Sequence, residues 1–519
     1  MKKPLILLLL LCSLLVKLSA QTVPTLAADI VTGSVGSGLF PGFNTLGTDL
    51  YLHASTTTAA GGTGLFKYNG TATNIASSLF VSISPQSYIG IANGKVYFSA
   101  DCFVYDSSTS SYGTSGYFLW YYTPGGSVAV LDSASTMNDN CRNVTFSGKM
   151  YFFGSLSSVS ASPTEGLFYI DAANTVHLAC DFSTLPSILT QPVNWCDQLT
   201  LLNGKLYFVA STSFNTELCV YDPATGVSSM INYFSLTSDI GDIRNLLAGD
   251  DNYLYFSATT VADGRELYVY KGTGSPVKLT ALNSTSDGVE DYPGLTGNEG
   301  RNIEKMGGYI YFGGCDGLHG YDLMSLKLSD NSTSLIDDIN PSAASSYPEE
   351  FVVYNGKVYF SADDGTHGRE LWVTDGTTAN MVADTYPGSS DSDPYDMTPC
   401  NGKLYFWANN GITGEELYYI GTAGSSVASV NMVNDINTYP NPASDAFNIK
   451  IDLKIAAGLS GKVCDVSGKE VYTLCQNDYP AGVSVITIPM KEYPVGVYLY
   501  SVYTSNGELI AAGRISHNE

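Results

Sequence analysis

The stretch NGKVYFSADDGTHGRELWVTDGT, residues 355–377, holds the reading of most of the chain. Asn355-Gly356 is a two-residue hairpin signal, because a type I′ turn needs positive φ at both central positions. Short apolar runs flank it at 351–354 and 357–362. Two more, at 371–374 and 380–383, sit either side of Asp375-Gly376, so four strands are expected. Val358-Tyr359-Phe360 and Leu371-Trp372-Val373 are continuous apolar runs and not alternations, so both faces of this small sheet should be buried.

Moving outward, the phrase recurs. NGKVYFSA at 93, NGKLYFVA at 203 and NGKLYFWA at 401 are clear copies, and weaker ones centre on Tyr51, Tyr151, Tyr255 and Tyr311. The eight shared tyrosines are spaced by 46, 54, 56, 48, 56, 48 and 46 residues, from Tyr51 through Tyr97, Tyr151, Tyr207, Tyr255, Tyr311 and Tyr359 to Tyr405. Units of this length with sheets buried on both faces predict an all-β chain built as a β-propeller of eight blades, with seven blades and a spare hairpin as the alternative. LAADI at 26–30 resembles the fourth-strand endings MVADT at 381 and MVNDI at 432, so an N-terminal strand is expected to complete the last blade.

GRELWVTDGT at 368–377, GRELYVYKGT at 264–273 and GEELYYIGT at 414–422 resemble the ELWxxDGT repeat proteins of Bacteroidota, with their NGKLYF companion phrase. That resemblance spans roughly residues 26–435 and implies an architecture more than an activity.

After Asp435 the pattern changes. YPNPASDAFNIKI at 439, GKVCDVSGKEVYTL at 461 and YPVGVYLYSVYTSNGELIAAGRI at 493 read as alternating strands of a small immunoglobulin-like β-sandwich. In this order they resemble the type A C-terminal sorting domain of the type IX secretion system, with Tyr439, Pro440, Asn441, Pro442, Gly468, Lys469, Gly496 and Tyr498 as the motif residues. The resemblance implies recognition by the type IX machinery and a final location outside the cell or on the outer-membrane surface, reached through the periplasm. At the other end, Lys2 and Lys3 precede an apolar run closed by Leu18-Ser19-Ala20, which reads as a signal peptide over 1–20. The expected organisation is signal peptide 1–20, propeller 21–435 and sorting domain 436–519.

Without the leader, 21 basic residues face 49 acidic ones, which argues against nucleic acid or anionic membranes as partners. No later run has the ~18 to 20 apolar residues that a membrane-spanning helix requires. Nine cysteines remain; Cys180 with Cys196 and Cys464 with Cys475 are the expected pairs.

The acids, histidine and arginine of the opening stretch invite a catalytic reading. Yet Glu217, Glu266, Glu370 and Glu416 occupy one place in four units, and chemistry needs its residue once. The expected role is structural, accepting backbone or hydroxyl hydrogen bonds where the third strand starts, with Asp375 and Thr377 bonding locally in the turn. Residues that break the symmetry are better binding candidates. Arg142-Asn143, Arg244-Asn245 and Arg301-Asn302 precede the first strand of blades 3, 5 and 6. Strand direction puts them on the face that carries the long connections, where binding residues concentrate.

Arg142, Arg244 and Arg301 are therefore candidates for an anionic glycan through planar bidentate contacts, against the simpler reading that each neutralises a local acid. Tyr88, Trp195 and Tyr395, near corresponding positions, are candidate sugar-stacking platforms. No catalytic set is expected: the histidines have no Ser or Cys partner in a recognisable elbow and no HExxH spacing occurs. No cofactor is expected either, apart from calcium at SSDSDPYD (389–396) or SDGVEDYPG (286–294), whose spacing matches no known loop. The function expected is non-enzymatic binding or adhesion to an extracellular glycan or surface partner. The alternatives are a polysaccharide-active enzyme, sialidase-like hydrolase or lyase, and a purely structural surface component.

Overall fold

The computed structural model describes residues 24–28, 30, 43–55, 63–75, 89–102, 105–106, 111–112, 116–132, 135–137, 143–156, 164–185, 195–211, 216–231, 243–260, 263–282, 287–289, 302–341, 343–421, 433–440, 443–454, 457–465, 470–491, 493–504 and 509–518. Eight antiparallel sheets, each with four strands in sequential order or its cyclic equivalent, account for the repeats. Blade 7 is typical: Glu349–Tyr354, Lys357–Asp363, Arg369–Thr374 and Ala379–Ala383. In blade 8 the order is Thr25–Ala28, Glu415–Ile420, Lys403–Asn409, Tyr395–Cys400, so the N-terminal strand supplies the outer, fourth strand. Eight blades are present and the seven-bladed alternative is set aside. Blade 3 has one addition, Ser135–Met137, which pairs with the far half of its second strand.

Packing explains the unbroken apolar runs. Eight hydrophobic clusters lie between neighbouring blades, each drawing on two of them. One joins Trp407 and Leu417 of blade 8 to Leu50 and Leu52 of blade 1, which closes the ring. Successive residues of a strand point to opposite faces. Accordingly Tyr255 packs toward blade 6 while Phe256 packs toward blade 4. The same division holds for Tyr207 and Phe208, Tyr311 and Phe312, and Tyr405 and Phe406. Each repeated tyrosine thus serves the following blade, and the residue after it, phenylalanine in seven units and Leu52 in the first, serves the preceding one.

Short turns mark one face. Asn93-Gly94, Asn203-Gly204, Asn355-Gly356 and Asn401-Gly402 all have positive φ, between 50° and 73°, as type I′ turns require. Three of these asparagines also reach the next blade: Nδ2 donates from Asn93 to the Gly148 carbonyl (3.2 Å), from Asn203 to Asn252 (3.4 Å) and from Asn401 to Thr48 (2.7 Å). In blade 7 the connection from second to third strand, 364–368, and the one that leads on to blade 8, 384–394, lie on the opposite face.

The tail forms two sheets of its own. Val433–Tyr439, Ala446–Leu453 and Gly482–Pro489 make one; Glu470–Tyr479, Ala457–Asp465, Gly496–Thr504 and Leu509–His517 make the other. A core that includes Phe447, Ile449, Ile451, Ile486, Tyr500 and Ile515 lies between them. Its first strand starts at Val433, three residues before the expected boundary.

Cys180 and Cys196, expected as a pair, form no disulfide and are both buried in the cluster between blades 3 and 4. Cys464 is also free, and Cys475 stands five residues along its strand from Glu470, the partner of Cys464. At ~3.4 Å per residue that separation is about 17 Å, far beyond the reach of a disulfide. No helix among the described residues is long and apolar enough to cross a membrane.

Candidate functional site

On the long-loop face the described residues show one joint at three successive junctions. Where blade 7 meets blade 8, the Asp391 carboxylate accepts the Arg369 N–H (2.7 Å), and the Ser392 and Asp393 N–H groups donate to the Arg369 carbonyl (3.0 and 3.2 Å). The Ser392 carbonyl then accepts the N–H of Asn409, at the end of the second strand of blade 8 (2.8 Å). Between blades 5 and 6, Asp287, Gly288 and Val289 repeat this arrangement on Arg265, with Cys315 as the donor from the next blade. Between blades 6 and 7, Ser345, Ser346 and Tyr347 do so on Tyr321, with Asp363 as donor.

Three of the four repeated glutamates accept such bonds; Glu217 differs, its buried Oε2 having no hydrogen-bond partner among the described residues. Glu370, fully buried, accepts the Ser392 hydroxyl (2.6 Å) and the N–H groups of Thr385 (3.0 Å) and Tyr386 (3.1 Å). Glu266 accepts the Thr280 hydroxyl and the Leu282 N–H (2.9 Å). Glu416 accepts the N–H of Ile30 (2.9 Å) and so fastens the N-terminal segment to blade 8. Burial pushes the Glu370 carboxyl up to about 7 although three donors face it. In blade 6 the position is Asp322, whose Oδ1 accepts the Ser346 hydroxyl (2.6 Å) and the Asn340 N–H (3.3 Å). The sequence reading missed it, because aspartate in YDLMSL hides the match to the glutamate of RELWVT.

The DDGTHG segment is a turn that fixes a loop tip. The Asp364 Oδ1 accepts the N–H groups of Thr366 and His367 (both 2.8 Å), and its Oδ2 meets His367 Nδ1 at 2.7 Å. Asp316 holds Leu318 and His319 identically in blade 6, and Asn410 holds Ile412 and Thr413 in blade 8. Hydrogen bonding to these aspartates raises the pKa of His319 and His367. Asp375 and Thr377 bond within their turn, side chain to side chain at 2.6 Å. The tips held this way differ: Leu318 is 78% exposed and Ile412 76%, with Thr366 between them in blade order.

Arg244 lies inside the first strand of blade 5, not before it, and is half-buried. Asn245 beside it is buried with φ 61°, at a β-bulge between Arg244 and Leu247. Gln198, Glu350 and Asp396 take the same left-handed conformation at the same place in blades 4, 7 and 8. The bulge residues reach the next blade: Gln198 Oε1 accepts the Leu246 N–H (3.0 Å), Asn245 Oδ1 that of Asn302 (3.4 Å) and Glu350 Oε2 that of Asp396 (3.2 Å). Asn245, the asparagine of the pair in blade 5, is therefore a joint. Of the other arginines, Arg265 is buried against Ser257, and Arg369 binds Glu349 (3.1 Å) and the Tyr347 carbonyl (2.8 Å).

The expected stacking role of Tyr395 is corrected. Occupying the place of Arg244 one step before a bulge, it is only 6% exposed and packs in the cluster that closes the ring. Trp195 starts the first strand of blade 4, its backbone opposite Ser211; its side chain is outside the described residues. Arg142, Arg301 and Tyr88 also lie outside them. Of the acid-rich segments, 389–396 is largely engaged by the joint through Asp391, Ser392 and Asp396, and in 286–294 Asp287 caps Arg265. Asp393 stays half-buried, its carboxyl pushed up to about 6 by burial and by Asp391. No group of three or more His, Cys, Asp or Glu among the described residues is arranged to hold a metal ion.

In the tail, Tyr498 is a core residue whose hydroxyl donates to the Pro494 carbonyl (2.6 Å), Gly496 pairs with His517, and Tyr439 and Pro440 are exposed. Asn441, Pro442, Gly468 and Lys469 lie outside the described residues.

Comparisons with known proteins bear on both parts. Among solved structures, the chain is similar to PorZ, an essential bacterial surface component of the type-IX secretion system of Porphyromonas gingivalis, at 14% identity over 94% of this chain and 71% of that one, TM-score 0.37. It is similar to a puromycin-hydrolyzing peptidase of Mycobacterium tuberculosis at 12% identity, covering 74% of this chain and 60% of that one, TM-score 0.42. A putative TolB from Agrobacterium tumefaciens is 11% identical over 61% of this chain and 95% of its own, TM-score 0.29. No curated protein matches the chain. Residues 437–512 match the family model of the secretion system C-terminal sorting domain. The chain thus carries a type IX secretion system C-terminal sorting domain behind a propeller, which implies export across the outer membrane to the cell surface or the medium.

Proposed function

We propose that the propeller is the cargo this sorting domain delivers, and that it acts as a non-enzymatic binding module. It meets an extracellular glycan or another surface partner through the long-loop face. The observation that supports this reading is the contrast between shared mounts and unequal tips. Glu266, Asp322, Glu370 and Glu416 accept hydrogen bonds at the joints, while the turns held by Asp316, Asp364 and Asn410 present different side chains, Leu318, Thr366 and Ile412, at one structural place. A rigid scaffold with variable loop residues is how binding surfaces are commonly made.

The test is retention of the mature chain on a panel of neutral, uronic and sulfated glycans and on outer-membrane proteins, with product release followed in the same samples. Saturable retention that weakens in a Leu318→Ser/Ile412→Ser variant supports the module. Release of shortened saccharides contradicts it and favours an enzyme; no retention on any surface favours a structural role.

A further inference from the structure

The sorting domain has two solvent faces, and they differ. Along Gly496–Thr504 the side chains of Tyr498, Tyr500, Val502 and Thr504 are buried, while Val497 (38%) and Leu499 (51%) stand exposed on the other face. This strand is central, flanked by Ala457–Asp465 and Leu509–His517. Opposite Leu499 lie Cys464 and Arg514, and opposite Ser501 lies Lys462. The outward face therefore has an apolar centre on its central strand, with Lys462 and Arg514 beside it and Glu470, the partner of Cys464, one strand further on. On the three-stranded sheet, exposed Val483 and Val485 sit on an edge strand opposite Asp452 and Lys450, and Thr487 bonds Asn448 (2.8 Å), so apolar groups, both charge signs and a paired amide are mixed there.

An antiparallel sheet facing water ordinarily turns polar side chains outward, and an apolar patch at its middle marks a contact surface. Residues 21–435 carry 15 basic against 41 acidic residues, whereas 436–519 carry 6 against 8, so the cations here stand in a chain otherwise rich in carboxylates. The segment that must be read during export is also the one that holds this patch. Building on the sorting-domain assignment, we propose that the face centred on Val497 and Leu499, with Lys462 and Arg514 beside it, is the surface by which the secretion machinery reads the tail. The partner presents an apolar depression with carboxylates at its rim. Apolar anchors flanked by arginine are the usual centre of such contacts.

The test is export of the full chain from a host with a working type IX system, measured as the ratio of extracellular to periplasmic protein. Val497→Thr/Leu499→Thr keeps residues that suit a strand, and Lys462→Glu/Arg514→Glu reverses the charges without touching the apolar centre. Each should lower the ratio about tenfold, the scale of losing a contact anchor. Val485→Thr on the other sheet should leave it near the wild-type value, and a chain lacking residues 436–519 should remain inside. Thermal melting of the retained protein separates misfolding from misreading, and the charge-reversed variant carries the test if the threonine variant does not fold.

Normal export of folded variants, while the truncated chain is blocked, overturns the proposal and leaves the sorting assignment intact. Normal export of the truncated chain overturns both. If the substitutions abolish only self-association in sedimentation and leave export unchanged, the face joins two copies of the chain and the proposal fails.

Discussion

The Ser392 hydroxyl lies 2.6 Å from the Glu370 carboxylate, inside the junction of blades 7 and 8. Ser346 bonds Asp322 at the same distance one junction earlier. Between blades 5 and 6 the serine is replaced by Gly288, and a Cβ there would stand 2.7 Å from Glu266 Oε1 and 2.8 Å from the Leu282 Cβ. One joint is thus built in two ways. In one a hydroxyl reaches a carboxylate; in the other the glutamate approaches so closely that only hydrogen fits.

Gly288→Ser is therefore expected to destabilise the protein, although serine serves at the same place in two other blades. Overpacking of a closed site costs about 1–3 kcal/mol. Urea unfolding of the mature chain reads it as a lower midpoint with unchanged slope.

Asn401 both turns the chain and ties blade 8 to blade 1, through φ 50° and the 2.7 Å bond to the Thr48 carbonyl. The two roles separate by substitution. Asn401→Gly keeps the left-handed turn and loses only the bond, worth about 0.5–1.5 kcal/mol. Asn401→Ala adds the left-handed cost, ~1 kcal/mol more. Equal losses in the two variants would count against the turn assignment.

Two buried groups give stability opposite dependences on pH. Burial depresses His53 to about 3, and neither ring nitrogen has a hydrogen-bond partner among the described residues. The unfolded chain takes up that proton first, so stability falls as pH drops below 6.5 toward 3. Glu370 is raised to about 7 against an ordinary 4.5 and keeps its proton longer when folded, so its contribution falls as pH rises between those values. His53→Leu should flatten the acid-side loss and Glu370→Gln the loss above pH 4.5, each by at most ~1.4 kcal/mol per pH unit. Unfolding midpoints from pH 4 to 8 measure both.

Removing residues 21–30 takes away Thr25–Ala28 and the Ile30 donor to Glu416. The strand Glu415–Ile420 then becomes a bare edge, and exposed edges recruit other chains. The truncated protein is expected to unfold earlier in urea and to self-associate in sedimentation. A monomer of unchanged stability would contradict closure by this strand.

Much of this was legible in the residues. Asn-Gly pairs announce their turns because little else tolerates two positive φ values, and unbroken Val-Tyr-Phe runs announce a sheet covered on both sides. LAADI announced the closing strand. What stayed hidden depends on distant contacts. The bulges at Gln198, Asn245, Glu350 and Asp396 use four different residue types, none with glycine's freedom, so no local signal gives them away; each is held by its place in the ring. That is why Arg244 fell inside a strand and Tyr395 in the core. Nearness along the chain does not join Cys180 to Cys196, because the apolar packing between two blades governs where they sit.

The claim that the repeated acids are joints and not catalysts is tested most directly by the unfolding free energy of Glu370→Ala. That substitution leaves the Ser392 hydroxyl and the Thr385 and Tyr386 N–H groups without their acceptor. Losing a buried partner of several donors predicts a decrease of about 2–4 kcal/mol in urea unfolding of the mature chain. An unchanged unfolding curve would contradict the account, and the glutamate would have to be explained by something other than the architecture.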